Sequence, residues 1–157
     1  MAPATFYYEK NEAVETLATG SEAVFESRTR FLIFAASVGY ARGHWVNDPD
    51  DNGEVRWNYI SQNQRLSVIT KTLTYAHTKD PESILDAEEQ IETLIGFGAG
   101  GARIIQTEVI EQPGEDLDNL IEFLRDHRDE EESEKRVGIL EEIETEMTQV
   151  HSSGEAE

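Results

Sequence analysis

Arg28-Thr-Arg-Phe-Leu-Ile-Phe-Ala-Ala-Ser-Val-Gly-Tyr-Ala-Arg42 decides the fold, because it is the one helical run in the chain that is apolar on every side. At 3.6 residues per turn, Val24, Phe31, Leu32, Ala35, Val38 and Gly39 share one face, while Ile33, Phe34 and Ala41 lie on the other. A helix that is apolar all round is a buried one. Ala35, Ala36 and Gly39 leave little side-chain bulk, so neighbouring helices can approach closely there. The run predicts a central helix over residues 21–43, with Ser21 as N-cap and Glu22 near its positive end. Around it the sequence predicts a mostly α, compact domain of about five helices.

Before that helix, residues 1–20 form an N-terminal arm in which Phe6, Tyr7 and Tyr8 either pin the arm to the core or precede a frayed terminus. After it, Trp45-Val46 and Val55-Arg56-Trp57 flank Asp-Pro and Asn-Gly turn signals, which predicts a short β-ribbon at 45–57. Ser61 and Gln64 make a capping box for a second helix carrying Leu66, Ile69, Leu73 and Ala76. Asp80-Pro81-Glu82 starts a third, with Ile84, Ala87, Ile91, Leu94 and Ile95 as its stripe. The glycine-rich stretch 96–101 is expected to interrupt it. Ala102, Ile105 and Val109 then suit a short fourth helix, although Ile104-Ile105 and Val109-Ile110 also suit strands. Pro113-Gly114 breaks the chain, and residues 115–128 form a helix with Leu117, Leu120, Ile121 and Leu124 on one face. The acidic run 129–134 reads as a solvated linker. Beyond it, Val137, Leu140, Ile143, Met147 and Val150 recur at helical spacing, and residues 151–157 are expected to be disordered. The expected organisation is thus an arm (1–20), a helical domain (21–128) and an acidic tail with an amphipathic helix (129–157).

A length of 157 residues suits one domain with a modest core, and the lack of cysteine excludes disulfides and thiolate metal sites. The longest apolar run, 31–36, is too short to span a bilayer, and the N-terminus lacks the basic and apolar regions of a signal peptide. A soluble, cytoplasmic protein without membrane contact is expected. The net charge is −20, from 33 acidic and 13 basic residues, nine of the latter Arg and four Lys. Lys-poor, acid-rich surfaces are typical of halophile proteins working in molar salt, where repulsion is screened within about 3 Å. Residues 21–79 carry +1, against −10 for 80–128 and −9 for 129–157. Any surface that meets a phosphate backbone is therefore expected near the central helix.

Several motifs carry candidate chemistry. Asp48-x-Asp50-x-Asn52-Gly53 matches the first half of a calcium loop, but Tyr59 at the twelfth position cannot supply the closing carboxylate, so an acidic solvated turn accounts for it. Gly96, Gly98 and Gly101 satisfy G-x-G-x-x-G, yet a helical stripe rather than a strand precedes them, which favours close packing over a nucleotide. His44, His77, His127 and His151 have no ligand spacing, and no G-x-S-x-G nucleophile motif is present. No cofactor is expected. Arg28, Arg30, Arg42, Arg56, Arg65 and Lys71 are the basic set of the least acidic segment, suited to DNA phosphates or partner carboxylates, or else to pairing with the chain's own acids. Arg28 and Arg42 fall within about one-ninth of a turn of each other on the central helix.

Phe31-Leu-Ile-Phe-Ala-Ala-Ser-Val-Gly-Tyr40 with Gly43, Trp57, Thr78-Lys-Asp-Pro81 with Ile84-Leu85, and Gly100-Gly101-Ala-Arg-Ile104 together resemble the small accessory proteins encoded beside DNA phosphorothioation (Dnd-type) systems. The acidic tail and Lys-poor composition look like haloarchaeal elaborations. The resemblance implies a partner in a restriction or antiviral defence module that distinguishes sulphur-modified from unmodified DNA, and it supplies no active-site residues. The expected function is a non-enzymatic accessory subunit that binds other proteins of the module and double-stranded DNA. Its working parts would be the basic set and the stripe Val137, Leu140, Ile143, Met147 and Val150. Two alternatives are a helical DNA-binding transcriptional regulator reading with residues 61–79, and a small metal-assisted nuclease using Asp48, Asp50 and Glu54.

Overall fold

Ser27, rather than Ser21, starts the central helix: its hydroxyl accepts from the Arg30 amide at 3.2 Å. The structure, a computed structural model, describes residues 3–21 and 23–155, with side chains described for 3–21, 23–129 and 139–148. In chain order the elements are β1 (Thr5–Tyr8), α1 (Glu12–Val14) continuing as a π-helical stretch Glu15–Thr19, α2 (Arg28–Ala41), β2 (Gly53–Arg56), α3 (Asn58–Ser61), α4 (Gln64–Thr78), a 3-10 turn Pro81–Leu85, α5 (Ala87–Ile105) with a π-helical stretch Gln106–Ile110, and α6 (Asp116–Glu155). The chain divides into two compact units, residues 1–117 and 118–157. The fold is mostly α, as the periodicities predict, with one small antiparallel sheet.

The core of the first unit is the crossing of α2 and α5. Phe31, Leu32, Ile33, Ala35, Ala36 and Val38 are buried on α2, and Ile91, Leu94, Phe97, Ala99, Ala102 and Ile105 on α5. The two helices meet backbone to backbone. A Cβ on Gly39 would collide with the Phe97 carbonyl oxygen, and one on Gly101 with the Ala35 carbonyl oxygen. One turn earlier on α2, the Leu32 side chain lies over Gly98, 2.6 Å from where a Cβ would stand. The opposite edge of the same glycine stretch receives the chain leaving α2: Gly96 faces the Trp45 ring and Gly100 the His44 carbonyl. Stretch 96–101 therefore does not break the third helix, as its glycines predict, but runs through the middle of α5. Each glycine costs a helix about 1 kcal/mol relative to alanine, and close-packed atoms on both sides offset that loss.

Further corrections follow from side chains that cap or pair. Asn63, not Ser61, caps α4 by accepting from the Leu66 amide at 3.1 Å. Asp80 caps only the 3-10 turn; Asp86 caps α5, accepting from Glu88 at 3.0 Å and Glu89 at 3.3 Å. The expected separate fourth helix is the end of α5 and its π-helical continuation. The ribbon at 45–57 does not close on itself. Strand β2 pairs instead with the N-terminal arm in the antiparallel register Thr5↔Arg56, Phe6↔Val55, Tyr7↔Glu54, Tyr8↔Gly53. Period-two alternation buries Phe6 and Tyr8 and exposes Tyr7. Helix α6 continues through the charged run 129–134, which the sequence had assigned to a linker. Helix α6 also runs on through residues 151–155, which the sequence predicts to be disordered, and residues 156–157 lie outside the described residues.

The crossing yields a graded expectation. Gly39→Ala and Gly101→Ala, whose new methyl groups would meet rigid carbonyls, should each destabilise by about 3 kcal/mol or prevent folding. Gly98→Ala, which meets only the flexible end of Leu32, should cost at most about 1 kcal/mol after its gain in helix propensity. Urea unfolding of the three variants measures the order.

Candidate functional site

Four of the six basic candidates come together. Arg28 and Arg30 in the first turn of α2, Arg56 at the end of β2, and Tyr59 on α3 line one surface recess with Ser27, Thr29, Glu54, Val55, Asn63 and Leu66. Arg30, Arg65, Gln64, Val68 and Ile69 line a second, which shares Arg30 and Asn63 with the first. The register of β1 and β2 sets Arg56 on the exposed side of its strand, because Val55 is the buried partner of Phe6. Among the described residues, Arg28, Arg56 and Arg65 make no ion pair within 4.0 Å. Arg30 has only a loose 3.4 Å contact with the exposed Glu26. Among the described residues, Glu54 is the one carboxylate on the lining. In a chain of net charge −20, this is a local surplus of guanidinium groups. Tyr59 is 55% exposed beside them.

The remaining basic candidates lie apart. Arg42, the C-cap of α2, donates to Glu108 at 2.9 Å, about 21 Å along the helix from Arg28. Their nearly shared azimuth thus does not make them one patch. Lys71 is exposed on α4 and lines neither recess. Of the docking stripe, Leu140 (60% exposed), Ile143 and Met147 (67% exposed) stand out from α6, while the side chains of Val137 and Val150 lie outside the described residues.

The acidic turn is taken up by the arm. The Asn52 carboxamide oxygen accepts from the Lys10 amide at 2.8 Å, and its nitrogen donates to the Lys10 carbonyl at 2.9 Å. The Asp50 amide donates to Glu9 Oε1 at 3.1 Å. Among the described residues, no group of three or more His, Asp or Glu side chains is placed to hold a metal ion, Asp48, Asp50, Asn52 and Glu54 included. His77 stacks on Trp45, ring centroids 4.8 Å apart, with Phe97 edge-on to both.

Neither Glu9 nor Arg103 is among the site residues that the sequence predicts, although Arg103 lies in the 100–104 stretch of the resemblance. Arg103 on α5 grips the buried Glu9 in a two-pronged pair, Nε to Oε2 at 2.8 Å and a terminal nitrogen to Oε1 at 2.7 Å. These partners are 94 residues apart, and no local pattern marks either one. The Arg103 hydrogen bonds hold the Glu9 carboxyl below its ordinary range; burial opposes them, and the Asp50 amide assists. The recess members Tyr59 and Asn63 carry no sequence signal as site residues, because Arg56 and Tyr59 belong to different elements and only the fold brings them together.

A helical protein with an arginine-lined recess between the starts of α2 and α4 and the end of β2 is the class that these features define, and no helix among its described residues is long and apolar enough to cross a membrane. Residues 7–143 match the family model described as DNA sulphur modification system-associated protein 4, and the chain belongs to that family. No curated protein and no solved structure matches it. Its family is associated with DNA sulphur modification systems, in keeping with an accessory role.

The Glu9 pair gives a pH expectation. A carboxyl whose folded pKa is depressed contributes stability above its unfolded pKa and loses it as the pH falls through the folded one. Glu9→Gln should therefore cost about 2 kcal/mol near neutral pH, with Arg103 being half exposed, and the deficit should shrink on acidification below the ordinary glutamate range. Thermal unfolding of both proteins across an acid series checks the convergence.

Proposed function

We propose that this protein is a non-enzymatic, cytoplasmic accessory subunit of a DNA phosphorothioation-dependent restriction or antiviral defence module, binding other proteins of the module and DNA. The observation that carries the reading is the recess of Arg28, Arg30, Arg56 and Arg65, three of them without an ion pair among the described residues of an otherwise acidic chain. Arginine forks match phosphate and carboxylate oxygens. Membership of a family tied to DNA sulphur modification supplies the setting. The Lys-poor surface favours a salt-adapted, haloarchaeal version of it, in which the acidic surface stays soluble while short-range guanidinium contacts survive screening.

Protein contact is assigned to the tail. Leu140, Ile143 and Met147 present apolar surface on α6 at helical spacing, the pattern by which a helix docks into a partner groove.

Tagged protein purified at near-native salt from cells carrying the sulphur modification genes should bring modification or restriction proteins with it. Leu140→Glu combined with Met147→Glu should lower that recovery by roughly tenfold without loss of helical content. Recovery of no protein of the module would overturn the reading.

A further inference from the structure

The shape and lining of the arginine recess narrow what it holds. A duplex is read by an element that projects into its groove, whereas an extended single strand lies in a basic channel with bases stacked on aromatic rings. Here the guanidinium groups line a surface that curves inward, assembled from the starts of α2 and α4, the end of β2, and α3. An exposed tyrosine ring stands among them, and Val55, Leu66, Val68 and Ile69 add apolar lining. We infer that this recess binds an extended single nucleic-acid strand, with successive phosphates on Arg28, Arg30, Arg56 and Arg65 and a base stacked on Tyr59. The inference rests on the reading of the protein as part of a DNA-handling module.

Two features favour a nucleic-acid strand over an acidic peptide. Tyr59 is 55% exposed, and an acidic peptide gives it no π-face to stack on. Two neighbouring recesses that share Arg30 and Asn63 offer more guanidinium positions than a single anion needs. The amides at the start of α2 and α4 are partly satisfied by Ser27 and Asn63, so the guanidinium groups, rather than the helix ends, supply the binding charge.

The test is fluorescence anisotropy of the full chain with a labelled oligothymidylate and with a mixed-sequence duplex, over a salt series in which circular dichroism confirms the fold. The single strand should bind more tightly than the duplex. The plot of log affinity against log salt should fall with a slope of about −3 for four arginine contacts, and Arg56→Ala or Arg65→Ala should each flatten it by about 0.7. Tyr59→Ala should weaken binding about tenfold, and Tyr59→Phe should hold it within about twofold. Equal or tighter duplex binding, absence of single-strand binding, indifference to Tyr59→Ala, or full displacement by polyglutamate would each overturn the inference. Co-purification of module proteins is a separate readout, so failure here is distinguishable from failure of the accessory-subunit reading.

Discussion

The contact between the Ala35–Gly39 turn of α2 and the Phe97–Gly101 turn of α5 is the constraint on which the rest of the first unit depends. Two helices usually sit 8–10 Å apart because side chains keep them there. Here glycine on each side removes that spacer, and carbonyl oxygens of one helix occupy the place of the other's Cβ. Dispersion then acts between backbones, whose positions do not adjust by rotamer. With the crossing set, Gly96 and Gly100 offer a flat edge on which His44 and Trp45 lie, and the chain leaving α2 is directed along α5. Val46 confirms that path by donating to the Gly96 carbonyl at 3.2 Å.

A second layer hangs from that crossing by polar groups. Arg103 on α5 holds Glu9, Glu9 accepts from Asp50, and Asn52 holds both backbone groups of Lys10. The Asn11 carboxamide also donates to the Ala102 carbonyl at 2.9 Å. These bonds place β1 beside β2, and β2 in turn sets Arg56 next to the start of α2. The recess is thus a by-product of how the arm is anchored: the strand register decides which face of β2 is free, and the α2–α5 core decides where Arg28 and Arg30 stand.

Helix existence was legible in the sequence, and boundaries less so. The all-round apolarity of residues 31–38 marks a buried helix whatever its neighbours, and the stripe of Leu66 and Leu73 marks α4. Caps were misread where two candidates lay close together: Ser21 against Ser27, Ser61 against Asn63, Asp80 against Asp86. The glycines of 96–101 were misread because propensity describes a helix in water, while these sit against another backbone. Strand β2 was placed correctly, but its partner was not, since turn signals favour the nearest strand and the true one lies about fifty positions earlier. The basic set was legible as a composition anomaly. That Arg42 pairs with Glu108, and that Tyr59 joins the other arginines, needed the fold.

The anchoring of the arm also imposes an order on synthesis. Strand β1 leaves the ribosome first, yet its ladder partner follows some fifty residues later, and the arginine that neutralises Glu9 is 94 residues away. Until β2 has emerged, Phe6 and Tyr8 have no strand to bury them, and until α5 has emerged Glu9 has no arginine. Such long-range pairings form late, after the local helices. The β1 segment is therefore a window for chaperones and proteases during translation, narrowed when β2 pairs with it and closed when α5 brings Arg103 to Glu9.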